Sequence, residues 1–84
     1  MKPVEFSPEA DDEWDQILER DRKLAEAIDP LFDEIEDGTL PGQMYANHAR
    51  FTTLRVPGRD DLYTVIWEDR GDHYYVLRVG RVNI

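Results

Sequence analysis

The sequence predicts an α+β fold in which two N-terminal helices pack on one face of a small antiparallel sheet, made of a short N-terminal strand and a C-terminal three-stranded meander. Two observations carry this. Leu62 to Trp67 and Tyr74 to Val79 are dense in β-branched and aromatic residues and flank the polar turn Glu68-Asp69-Arg70-Gly71-Asp72, the composition of adjacent antiparallel strands. Upstream, apolar residues recur at helical spacing through two acidic segments. A two-stranded ribbon is marginal in water, so a further strand and the helices must supply its core.

Pro3-Val4-Glu5-Phe6 alternates and reads as a brief edge strand. Ser7-Pro8 then opens a helix: Ser7 suits the N-cap, and Pro8 suits the first helical position, where its missing N–H costs nothing. The first helix is expected from Pro8 to Arg20, with Ala10, Trp14, Ile17 and Leu18 inward. In the second, Leu24, Ile28, Leu31, Phe32 and Ile35 form one stripe that stops at Asp37-Gly38, where glycine suits the C′ position. Pro30 predicts a kink within this helix, the alternative being a new helix capped by Asp29. Thr39 to Ala49 follows neither period and reads as a loop. Phe51 to Val56 is strand-like, and Pro57-Gly58-Arg59-Asp60-Asp61 is a tight connection to the hairpin.

Eighty-four residues suit a single domain, residues 1–84, and a chain of this size buries only roughly 60% of its unfolded surface. Without cysteine there is no disulfide framework and no thiolate metal site. With no apolar run for a signal peptide or membrane span, the expectation is a soluble, cytoplasmic protein with no membrane association, no metal and no cofactor. The net charge of −9 is uneven: residues 1–42 carry four basic and fourteen acidic side chains, residues 43–84 six and five. An acidic surface repels phosphate backbones, so the helical half is a poor nucleic-acid binder, whereas the other half permits such contact.

Alternation places Tyr63, Val65 and Trp67 on one face of the central strand and Leu62, Thr64, Ile66 and Glu68 on the other. The same alternation groups Tyr75, Leu77 and Val79 against Tyr74, Val76 and Arg78. The most apolar set, Val65, Trp67, Leu77 and Val79, is expected beneath the helices. The second face, with Thr64, Ile66, Glu68, Tyr74, Val76 and Arg78, is then left for water or a ligand; Ile66, Tyr74 and Val76 would also give it the apolar surface of a homodimer. Arg55, Arg78 and Arg81 lie near that face, with Arg50 and Arg59 at strand ends. Clustered arginines suit phosphate or carboxylate; pairing with Glu68 or with helix acids is the structural alternative. His48, with Tyr45, Asn47 and Arg50, forms the one group resembling an acid/base set, and His73 reads as an exposed residue beside the turn.

The Val4-Glu5-Phe6 opening, Ser7-Pro8-Glu9-Ala10, Asp21-Arg22-Lys23-Leu24-Ala25, Thr53-Leu54-Arg55-Val56, Thr64-Val65-Ile66-Trp67-Glu68 and Leu77-Arg78-Val79-Gly80 together resemble the RelE/ParE superfamily of toxins from bacterial type II toxin–antitoxin systems. The resemblance covers nearly the whole chain. It implies the strand, two helices and meander, a cognate antitoxin partner, and action either on translation through ribosome-dependent mRNA cleavage or on a protein such as gyrase. By resemblance Arg55 takes a family arginine position, and Arg81 stands one place from another. The residues expected to carry catalysis are thus Arg55, Arg81 and His48, and those of the binding face Arg50, Thr64, Tyr74 and Arg78. Thr64 occupies a place where many members carry arginine, and Gly80-Arg81-Val82 replaces their Gly-His-Arg. These departures imply the alternative of a non-catalytic interaction protein on the same fold.

Overall fold

Ser7 ties the first helix to the sheet. In a computed structural model of the chain, which describes residues 2–46 and 48–82 apart from the side chains of Tyr45 and Ala46, the Ser7 hydroxyl accepts from the Ala10 N–H at 3.0 Å and donates to the Leu77 carbonyl at 2.9 Å. One buried side chain therefore caps α1 (Pro8–Arg20) and fastens its start to the last strand. Asp21 closes α1 and opens α2 (Arg22–Asp37): its N–H donates to the Ile17 carbonyl, and its carboxylate accepts from the Leu24 N–H. Pro30 lies inside the continuous α2. It is exposed, and carbonyls on the water side of a helix can be solvated where a proline removes their partner. Gly38 ends α2 at φ 74°, the left-handed conformation a helix terminus favours and glycine adopts without a Cβ penalty.

The sheet has five strands: β1 (Val4–Phe6), β2 (Gln43–Ala46), β3 (Ala49–Arg55), β4 (Leu62–Asp69) and β5 (Tyr74–Arg81), in the order β1-β5-β4-β3-β2. The expected meander is β3 to β5, with antiparallel pairing throughout, and β1 joins its outer side parallel to β5. β2 occupies part of the stretch expected as a loop, pairing antiparallel with β3 through an irregularity between Met44 and Ala46. It is a four-residue edge strand without a β-branched residue, so only its hydrogen bonds to β3 mark it as a strand. Just before it, Gly42 lies against the Trp67 ring, and a Cβ there would sit 2.6 Å from an indole carbon.

Both helices cover one face. Tyr63, Val65, Trp67, Val76 and Val79 are buried there with Ala10, Leu24, Ile28 and Ile35. Phe32 joins the layers by edge-on contacts with Phe6 at 5.0 Å and Trp14 at 4.9 Å. Leu18 is 53% exposed, so the inward stripe of α1 runs through Ala10, Trp14 and Ile17 without it. Leu77 also departs from the expected core, and a β-bulge is the reason. Ile66 pairs with Arg78 and Trp67 with Val76, leaving Leu77 unpaired between them. The extra residue reverses the alternation of the first part of β5, so Val76 is fully buried, Tyr74 packs on the core, and Leu77 is displaced from it. No helix among the described residues is long and apolar enough to cross a membrane.

Candidate binding groove on the open sheet face

The face away from the helices is concave. A groove of about 500 Å³ runs across β3, β4 and β5. Its floor is formed by Phe51 and Thr53 of β3, Leu62, Thr64 and Ile66 of β4, Gly80 near the end of β5, and Val82 just past it. Sheet register explains the set: Thr53, Thr64 and Gly80 lie side by side on adjacent strands, and Phe51, Ile66 and Arg78 form the next row. The Thr64 hydroxyl donates to the Thr52 carbonyl at 2.9 Å, so its oxygen retains lone pairs toward the groove. Gly80 adopts φ 149°, and a Cβ there would meet nothing within 4 Å. Its backbone conformation favours glycine, and the missing side chain leaves the floor flat.

The wall is charged. Arg78 reaches across to Glu13 of α1 in a two-pronged pair, with Nε donating to both carboxylate oxygens at 3.1 Å and Nη2 to Oε2 at 2.8 Å. Glu13 Oε1 also accepts the Val79 N–H at 3.0 Å. The carboxylate strengthens the guanidinium's hold on its proton. Arg81 lines the same end of the groove, its Nε 3.7 Å from Asp61, with a side chain 64% exposed. The groove thus combines an apolar and hydroxyl-bearing floor with one bound and one loosely paired arginine. That suits a ligand with both a flat apolar part and an oxyanion.

Thr64, Arg78 and Arg81 come together here. Arg55 lies at the strand end opposite Leu62, and its Nη1 donates to the Asp60 carbonyl at 3.0 Å, so it stands beside the groove. Arg50 pairs in register with Trp67 and therefore lies on the helix side of the sheet, as does Tyr74 through the bulge. His48 is exposed in the turn between β2 and β3, at the opposite end of the sheet from Arg55 and Arg81, some 20 Å away at strand spacing. Asn47 of the His48 group lies outside the described residues. Arg59 is structural, pairing with Asp21 and donating to the Tyr63 hydroxyl. His73 meets Asp72 at 2.6 Å in the β4–β5 turn. No group of three His, Asp or Glu side chains among the described residues could hold a metal ion.

Sequence reasoning misses the floor residues Phe51 and Thr53, and Gly80. Pairing of Arg78 with a helix acid, the structural alternative for the arginines, is what the structure shows, although the sequence does not single out Glu13 as that acid. The alternation of β3 could have found the floor pair, since Thr52 faces Val65 and its neighbours face the other way. Glu13 carries no local signal, because its partners are 65 and 66 residues away.

No family model matches the chain, and no curated protein matches it. Among solved structures, the YoeB dimer from Staphylococcus aureus matches with a TM-score of 0.70 at 13% sequence identity, over 98% of each chain. Two helices on a five-stranded mixed sheet is accordingly the YoeB/RelE-like fold.

Proposed function

We propose that this protein is a RelE/ParE-like toxin-family member that acts by engaging its target through the groove and is neutralised by an antitoxin. The observation that supports it is the groove itself, an open apolar floor walled by Arg78 and Arg81 on a fold shared with YoeB over 98% of the chain. Within that class, two targets are in view, the translating ribosome with its mRNA and a protein such as gyrase. Inhibition by binding fits the groove better than cleavage. RNA cleavage through a 2′-hydroxyl needs a base and a charge-stabilising cation together, and the one carboxylate among the described lining residues, Glu13, is held by Arg78 and the Val79 N–H. YoeB is described as a dimer; dimerisation is part of the proposal for this chain also, and sedimentation velocity reads it directly.

Purified protein added to a cell-free translation reaction and to a gyrase supercoiling assay tests this. Inhibition of either that disappears in Arg55→Ala/Arg81→Ala supports the toxin reading, and mapping of RNA ends in the translation reaction separates cleavage from stalling. Inhibition of neither favours the second reading, a non-catalytic interaction protein on the same fold, which the Glu13–Arg78 pair across the groove wall also suits.

A further inference from the structure

The β5 edge beyond β1 is where the fold carries an unassigned site. β1 covers β5 only from Tyr74 to Val76. Past that point two side chains stand in for the missing strand: Ser7 donates to the Leu77 carbonyl, and Glu13 accepts from the Val79 N–H. Edge protection alone would need a single acceptor for that N–H. Glu13 receives more, since its two oxygens also take the Nε and Nη2 hydrogens of Arg78, all at 2.8 to 3.1 Å. A guanidinium edge and a backbone N–H converging on one carboxylate form an oxyanion cradle. The cradle opens on the groove, which both Glu13 and Arg78 line.

We infer that the Arg78 guanidinium and the Val79 N–H form an oxyanion-binding site of the groove, and that Glu13 is its built-in occupant, a plug that an incoming phosphate or carboxylate must displace. The plug is anchored to α1, so its effective concentration at the cradle is on the order of millimolar or above, and free monoanions compete poorly with it. Displacement is feasible because the Glu13 side chain is 29% exposed and that of Arg78 59% exposed, so the carboxylate can swing into water without leaving a buried charge. An oxyanion carried on a ligand that also covers the apolar floor has the added contacts to win the exchange. The inference rests on the groove as the working surface for its biological use, but anion binding to the purified protein is measured independently of any toxicity.

The test is titration of inorganic phosphate and, separately, acetate into ¹⁵N-labelled protein, following the Val79 amide and the Arg78 Nε resonance. Glu13→Ala should bind phosphate about tenfold tighter than wild type or better, with saturable shifts at both reporters, and Glu13→Ala/Arg78→Ala should lose them. A response to phosphate alone assigns the cradle to phosphate-bearing ligands, and a response to both anions assigns it to oxyanions in general. Because Glu13→Ala leaves the Val79 N–H without its acceptor, Glu13→Gln serves as a second variant. It keeps an acceptor, removes the charge, and should gain phosphate affinity to an intermediate degree. A purely structural cap predicts lowered stability with no gain in anion affinity. Absence of any gain in both variants, or shifts that persist without Arg78, would overturn the inference.

Discussion

Asp21 and Arg59 meet through two parallel hydrogen bonds, Nη1 to Oδ2 at 2.6 Å and Nη2 to Oδ1 at 2.8 Å, joining the junction of the two helices to the loop between β3 and β4. The same carboxylate caps α2, and the same guanidinium donates to the hydroxyl of the buried Tyr63. Helix start, helix junction and central strand are thus registered by one contact 38 residues apart in sequence. It acts chiefly through position, as both side chains keep about 30% of their exposure and solvent screens the charge.

Arg59 holds the Asp21 carboxyl below its ordinary range by hydrogen bonding to the charged form. As pH falls, the unfolded chain, with its carboxyl titrating near 4, takes up the proton before the folded chain does. The contribution of Asp21 is therefore fully present above about pH 4 and lost as pH drops through the lower folded value. Asn retains the cap, so Asp21→Asn isolates the charge. Thermal melts between about pH 5 and about pH 3 should show a steeper fall in Tm for wild type than for Asp21→Asn. Parallel curves would show that the pair carries no linkage.

The bulge at Leu77 makes a second prediction. Val76 is fully buried while Leu77 stands unpaired outside the core. Val76→Ala should cost about 2 kcal/mol in denaturant unfolding, and Leu77→Ala less than about 1 kcal/mol despite removing more carbon. The reverse ranking would restore simple alternation along β5 and remove the bulge.

Gly42 lies where the chain passes over Trp67, too close for any Cβ. Gly42→Ala must push the indole or the start of β2 aside, an overpacking that costs about 1–3 kcal/mol. A red-shifted tryptophan emission should accompany the lost stability. An alanine variant with unchanged stability and emission would contradict the close approach.

Much of this fold is legible in the sequence, because its signals are local. Ser7-Pro8 marks the start of α1, Asp37-Gly38 marks the end of α2, and the alternation of Tyr63, Val65 and Trp67 marks the buried face of β4. What escapes is set by pairing between distant segments. One unpaired residue in β5 turns Tyr74 and Val76 toward the helices, which no property of Leu77 announces. β2 is a strand only because β3 lies beside it. The groove is half legible: Thr64 and Arg78 follow from alternation, whereas Glu13 arrives from α1 through the tertiary fold, and Arg50 and His48 are carried elsewhere by register.

Growth of a bacterial host on induced expression tests the groove as working surface most directly. Thr53 is exposed on the groove floor, so Thr53→Trp fills the groove without touching the core, and Asp15→Ala on the exposed surface of α1 is a control. Wild type and Asp15→Ala should arrest growth, and Thr53→Trp, equally expressed and folded, should not. Arrest by Thr53→Trp as strong as that of wild type, or no arrest by wild type, would contradict the groove's assigned role.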